Sequence, residues 1–261
     1  MARIYPLFSS SEGNCTYIGN SSNGILIDAG VSCKKICGAL AANELDINGI
    51  MGIFVTHTHS DHIRGLTVFL KKHHVPIYAQ RTNLNILLKN HVVPETTELH
   101  EVDNTEIAIG DYSLRAFETP HDTPASCGYR ITCPDNKIAV VCTDLGCVTP
   151  TVWENISGSD LVLLESNYDP TMLRNGIYPP ELKRRIASDH GHLSNNDCAS
   201  TLVKLVENGT DKFILGHLSQ HNNTPNTAEN TVVSTMSGMH RNRDYLLHVA
   251  RPDGCGMAVA F

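Results

Sequence analysis

Three histidines and an aspartate fall within six positions in the run Thr56-His57-Thr58-His59-Ser60-Asp61-His62. The run follows Ile53-Phe54-Val55, which reads as a buried strand, so these polar groups stand where a strand delivers its end to a loop. Side chains two apart on extended backbone point the same way, and His57 and His59 can therefore grip one ion. Asp61 and His62 arrive as the chain turns toward a helix, where they can face a second ion beside the first. A lone histidine is most simply a buried, hydrogen-bonded residue. Four ligand-type side chains packed behind one strand point instead to metal chemistry.

The order His57-x-His59-x-Asp61-His62 resembles the metallo-β-lactamase superfamily of metal-dependent hydrolases. The resemblance implies an α/β fold, a four-layer αββα sandwich whose edge loops hold two divalent transition-metal ions. It also implies where the remaining residues lie. Asp28, at the end of Gly24-Ile25-Leu26-Ile27-Asp28-Ala29-Gly30, would support the histidine loop through hydrogen bonds rather than by ligation. His121, after Phe117-Glu118-Thr119-Pro120, would be a further ligand, and Asp144, after Ile138-Ala139-Val140-Val141-Cys142-Thr143, would bridge the ions. His217, after Phe213-Ile214-Leu215-Gly216, would complete the set.

The elements that must position these residues alternate along the chain. Ile4 to Phe8 reads as an edge strand running into the polar loop Ser9–Asn14, with Cys15-Thr16-Tyr17-Ile18 beyond it. Ser32 can cap a helix over Lys34 to Asn43. Ile63, Leu66, Phe69 and Leu70 fall at helical spacing. Pro76 to Ala79 is a short strand and Thr82 to Lys89 a helix. Glu106 to Tyr112 reads strand, turn, strand, continued by the alternation of Leu114 and Ala116, and Cys127 to Ile131 starts the next strand. Asp160 to Glu165 is another strand. Ser194 and Asp197 are spaced as a capping box for a helix that should stop at Asn208-Gly209. Thr227 to Met239 reads as a closing helix, with terminal strands at Tyr245 to Val249 and Met257 to Phe261. No linker or low-complexity stretch interrupts this, so residues 1–261 read as one domain.

Composition narrows the class. Apolar residues make up 41% and charged residues 18%, ordinary for a globular protein. No apolar run nears the roughly 20 residues of a membrane span, and Met1-Ala2-Arg3-Ile4-Tyr5-Pro6 lacks the apolar core of a signal peptide. The nine cysteines are scattered, with Cys33-x-x-x-Cys37 the closest pair. Without a Cys-x-x-Cys they argue for buried reduced thiols rather than a zinc knuckle, and for a cytoplasmic protein. A net charge of −7 argues against coating nucleic acid through a basic surface, though two metal ions would cancel much of that charge locally.

Further elements resemble the YycJ/WalJ-type branch of the superfamily, described as 5′→3′ exonucleases. They are Ser10-Ser11-Glu12-Gly13-Asn14, Leu164-Glu165-Ser166-Asn167, Tyr178-Pro179 with Leu182-Lys183-x-Arg185-Ile186, Gly191-His192-Leu193-Ser194-Asn195 and His217-Leu218-Ser219. Ser10 and Glu12 stand in a segment that is richer in glycine in that branch. By this resemblance His57, His59 and His121 hold one ion, Asp61, His62 and His217 the other, and Asp144 joins them. Zinc, manganese and iron all suit such donors. Two ions roughly 3.5–4 Å apart activate a shared water that attacks the scissile phosphorus. Asp61 would orient that water or accept its proton. His192, placed like the proton donor of the tRNA 3′-processing branch, would protonate the departing oxygen. Asn14, Lys183, Arg185 and Ser194 are the candidates for touching a nucleic-acid strand end, with Arg184 beside them. Rival readings use the same ligands: a small-molecule or cyclic phosphodiesterase, or a glyoxalase-II-like or lactonase-like ester hydrolase. The ester hydrolases would not need His192 or the Lys183/Arg185 cluster, and a purely regulatory binding partner would leave seven ligands unused.

Overall fold

The computed structural model describes residues 3–102, 105–253 and 258–261. Among these, the first of two seven-stranded sheets takes β1 (Arg3–Phe8), β2 (Cys15–Gly19), β3 (Gly24–Ile27), β4 (Ile50–Phe54), β5 (Ile77–Ala79) and β6 (Leu99–Glu101) in that order. The second takes β7 (Glu106–Ile109), β8 (Tyr112–Glu118), β9 (Cys127–Thr132), β10 (Ile138–Cys142), β11 (Leu161–Glu165), β12 (Lys212–Gly216) and β13 (Leu246–Val249). β14 (Val259–Ala260) then returns to the first sheet, outside β1. Each sheet is antiparallel at one side and parallel at the other, β3 to β6 and β10 to β13 being the parallel runs.

Side chains along a strand alternate between faces, and here both faces are covered. Ile25, Ile27 and Phe54 meet Tyr129, Ile131, Val141 and Ile214 between the sheets. Their neighbours Leu26, Ile53 and Val55 turn outward, under α1 (Cys33–Ala42), α3 (Leu66–Lys72) and α4 (Arg81–Lys89). On the far side Val140, Cys142, Phe213 and Leu215 pack under α5 (Pro150–Ile156), α8 (Asn195–Glu207) and α9 (Pro225–Thr235). The result is the four-layer αββα sandwich. Short helices α2 (Ser60–Ile63), α6 (Pro170–Asn175) and α7 (Pro180–Ile186) lie in the connections.

The sheets are also tied at the root of the histidine loop. Tyr129, fully buried on β9, donates its hydroxyl to the Val55 carbonyl at 2.9 Å, and Cys127 N–H donates to Thr56 O at 3.2 Å. Phe54 stacks on Tyr78 and meets Tyr129 edge-on beneath the same loop.

Some expected boundaries differ. β1 is not an edge strand, because Arg3 and Ile4 pair with Ala260 and Val259. Of the terminal strand, Met257 lies outside the described residues, and pairing is confined to Val259–Ala260. The closing helix runs Pro225–Thr235, starting earlier because Thr224 caps it and Pro225 takes its first turn. Helices α5 and α6 were not anticipated, although Thr149-Pro150 and Asp169-Pro170 carry the same cap-then-proline signal. β6 is too short for an alternation pattern to register.

Candidate metal centre

The site residues sit where strands end, at one edge of both sheets. His57 and His59 follow β4, and Asp61 and His62 ride on α2. From the second sheet come His121 after β8, Asp144 after β10 and His217 directly after β12. Asp28, Asp144 and His217 all adopt left-handed backbone, with φ of 61°, 58° and 54°. Aspartate and histidine enter that region more readily than most side chains, yet each such residue costs about 1–3 kcal/mol, which the surrounding structure must offset. The kink turns each side chain off the end of its strand and into one cluster.

The cluster has two overlapping parts. Ligand atoms of His57, His59 and His121 lie within 4.8 Å of one another, and so do those of Asp61, His62 and His217. Asp144 stands between them. Its Oδ2 is 3.2 Å from His62 Nε2, and its Oδ1 is 3.6 Å from both His121 Nε2 and His217 Nε2.

Hydrogen bonds outside the cluster decide which nitrogen each ring turns inward. A carboxylate or carbonyl oxygen only accepts, so the ring nitrogen against it carries the proton. His62 Nδ1 donates to Asp28 Oδ2 at 2.7 Å, and Asp28 also takes Thr56 N–H and Oγ1–H at 2.8 and 2.9 Å. His121 Nδ1 donates to Gly191 O at 3.0 Å. His217 Nδ1 donates to Glu165 Oε1 at 2.7 Å. In each case Nε2 is left for the cluster.

Glu165 went unassigned in the sequence. It closes β11 with no exposed surface and takes four hydrogen bonds. His217 and His192 donate to Oε1, His192 at 2.9 Å, while Leu145 N–H and Leu193 N–H donate to Oε2 at 3.0 and 3.1 Å. The apolar run ending in a carboxylate, as it does at Asp144, was the signal available. His192 thus has its Nδ1 fixed, lies 3.8 Å by that atom from Asp144 Oδ1, and keeps 21% of its side chain exposed.

The electrostatics ask for cations. Asp28, Asp61, Asp144 and Glu165 are partnered by histidines. Burial opposes charge on Glu165, yet His192 and His217 hold its carboxyl down to about 2. Burial likewise opposes a proton on His62, and Asp144, Asp28 and Asp61 outweigh it, raising His62 well above the ordinary imidazole value. His57 goes the other way: burial and the neighbouring His62 keep it well below that value. Its Nε2 is buried without a hydrogen-bond partner, and so is Asp144 Oδ2. Two orphaned acceptors facing one cluster of imidazoles and carboxylates fit bound transition-metal ions, which would satisfy both atoms and the charge.

The four residues expected at the substrate are placed differently. Asn14 is buried and holds the metal loop, its Nδ2 lying 3.0 Å from both Ser10 O and His62 Nε2 and 3.3 Å from Asp61 Oδ2. Its backbone pairs with Asp61 O and with Gly30 N–H, and at Gly30 a Cβ would stand 1.6 Å from Asp61 O, so only glycine allows this approach. Ser194 is also buried, its hydroxyl spent on the α8 cap with Asp197. In both, the polar atoms are engaged within the protein, Asn14 behind the histidine loop and Ser194 in the helix cap. Lys183 reaches the Arg174 carbonyl at 2.8 Å on the surface, and Arg185 pairs with Asp122, next to His121. A cleft of about 460 Å³ opens beside His121, lined also by Thr123, Ser126, Thr149, Thr151 and His190. Among the described residues, no helix is long and apolar enough to cross a membrane.

A family model described as a beta-lactamase superfamily domain matches residues 23–218. The chain is similar to the exodeoxyribonuclease YycJ of Bacillus anthracis, 36% identical over 228 residues that cover 87% of this chain and 86% of the relative. It is similar to the exodeoxyribonuclease WalJ of Streptococcus pneumoniae, 35% identical over 235 residues covering 88% and 87%. The crystal structure of the metallo-beta-lactamase fold protein YhfI from Bacillus subtilis superposes with a TM-score of 0.75 over 100% of both chains, at 16% identity, a likeness of fold.

Proposed function

The chain belongs to the beta-lactamase superfamily and is a metal-dependent hydrolase, and from that premise we propose that it is a two-metal phosphodiesterase acting as a 5′→3′ exonuclease on nucleic acid. The observation that carries the reading is the pair of histidine groups joined through Asp144, with His192 held beside them on Glu165. The relatives' name, exodeoxyribonuclease, makes DNA the polymer to test first.

In this reading His57, His59 and His121 would hold one ion and Asp61, His62 and His217 the other, with Asp144 placed to serve both groups. Zinc, manganese or iron fits the donors. When bound, the pair of ions activates water and neutralises charge on the phosphoryl oxygens. The protein supplies the rest. Asp28, Gly191 O and Glu165 lock the ring tautomers, so the ligand nitrogens need no reorganisation as substrate arrives. Asp61 Oδ2, 19% exposed by side chain, orients the attacking water or takes its proton. His192 Nδ1–H stays on Glu165, which leaves Nε2 to give a proton to the departing oxygen. The cleft beside His121 has the size of a small-molecule or nucleotide pocket, and Arg185, paired with Asp122 next to His121, brings the basic run Lys183-Arg184-Arg185 to the side from which a strand would be guided. The site draws on loops of both sheets, which supports reading the 261 residues as one domain. The eight cysteines among the described residues are free, which fits a reducing compartment such as the cytoplasm.

The test is a substrate panel with added manganese or zinc: oligonucleotides labelled at either end, single- and double-stranded, beside a cyclic diester and a thioester. Progressive release from the 5′ end supports the proposal. Hydrolysis of the small diester or thioester with the oligonucleotides untouched overturns it in favour of the corresponding rival.

A further inference from the structure

A second group of ligand side chains lies apart from the site above, on the outer helical layer of the first sheet. Cys33 and Cys37 occupy successive turns of α1, and His73 follows the last turn of α3. Cys33 Sγ is 3.8 Å from Cys37 Sγ, and Cys37 Sγ is 3.9 Å from His73 Nε2. All three ligand atoms lie within 4.8 Å of one another. We propose that Cys33, Cys37 and His73 form a binding site for one thiophilic metal ion, of the zinc class, that clamps α1 to the end of α3.

Geometry supports an ion over the alternatives. Thiolates bound at about 2.3 Å in a tetrahedral arrangement stand about 3.8 Å apart, and a thiolate and an imidazole about 3.6 Å. The observed separations nearly meet both values without the ion's help. A disulfide is disfavoured by the helix itself. Positions four apart hold their Cβ atoms about 5–6 Å from each other, whereas a disulfide needs about 3.5–4.5 Å. The i, i+4 spacing on a helix thus does for two thiolates what Cys-x-x-Cys does on a knuckle.

The surroundings agree. Cys33 opens α1 immediately after its Ser32 cap; burial and the adjoining Cys37 raise its thiol above the ordinary value, with Lys72 opposing them, and a bound cation would reverse that shift. Burial, together with Lys72, keeps His73 below the ordinary imidazole value, in the neutral form a ligand requires. Phe69 packs on the ring with centroids 4.8 Å apart and fixes it. The group contains no carboxylate, which disfavours magnesium, calcium and manganese. Three protein ligands leave a fourth position for water. Nothing here depends on the nuclease reading.

The experiment loads metal-free full-length protein with cobalt(II) and follows thiolate-to-cobalt charge-transfer absorption in the near ultraviolet. The imidazole and carboxylate clusters cannot give this band, so it reports the proposed site alone. The expected result is a band that reaches the intensity of one thiolate-bound cobalt per chain once all three sites are filled, disappears in Cys37→Ser and weakens in His73→Gln, with zinc content falling by one ion per chain in Cys37→Ser. No band in the wild type, or a band that survives in Cys37→Ser, overturns the proposal. If Cys37→Ser does not fold, alkylation of the wild type replaces it. Zinc should protect Cys37, the partly exposed member of the pair, and equal labelling of Cys37 with and without zinc overturns the site.

Discussion

Glu165 Oε1 lies 2.7 Å from His217 Nδ1, in a carboxylate with no exposed surface. The same oxygen receives His192 Nδ1 at 2.9 Å. One buried acid therefore orients both a proposed metal ligand and the proposed proton donor. Glu165→Gln should weaken metal binding about 10–100-fold, as loss of a partner behind a ligating histidine generally does. Its amide would also confront Leu145 N–H and Leu193 N–H, so the melting temperature should fall as well. Unchanged metal affinity in the folded variant would detach Glu165 from the site. Metal titration followed by calorimetry decides.

His192→Ala should keep its metal content and lose turnover by roughly 10²–10⁴-fold, the usual contribution of a general acid. With a nitrophenyl phosphodiester the loss should shrink, because a nitrophenolate departs without a proton. Loss of an ion in this variant would make His192 a ligand instead.

The basic residues of α7 should separate by role. Replacing Lys183 and Arg184 with alanine should raise KM for an oligonucleotide and flatten its salt dependence. Hydrolysis of a small diester should barely change. Arg185→Ala should impair both substrates, because it frees Asp122 beside His121. If Lys183 and Arg184 variants also impair both substrates equally, the guiding role is wrong.

Tyr129→Phe removes the buried hydroxyl that joins the second sheet to Val55 O. Leaving that carbonyl without its partner should cost about 1–3 kcal/mol. The urea midpoint should fall with an unchanged slope, and a slope change would mean that more than one hydrogen bond was lost.

The sandwich was legible in the sequence because strands followed by His or Asp recur at β4, β8, β10 and β12. The ligand candidates were legible for the same reason, since a strand delivers its last residues to one edge of the sheet. Glu165 was not, because its role consists of partners 27 and 52 residues away that only the fold brings together. The bonds of Asn14 to Asp61 and His62 were not legible for the same reason, since they span 47 and 48 residues. The cap at Ser194 was legible from the spacing to Asp197, and its hydroxyl makes both its bonds there.

The central claim is that two ions, one held on each side of Asp144, are needed for phosphodiester cleavage. It is tested most directly by titrating metal-free protein with manganese, which the thiolate group of α1 does not favour, while following release of nucleotide from a 5′-labelled strand. Two ions per chain should bind, turnover should appear only as the second site fills, and His57→Ala and His217→Ala should each hold fewer ions and be inactive. Full activity with a single ion bound, or with His217→Ala, would contradict the account.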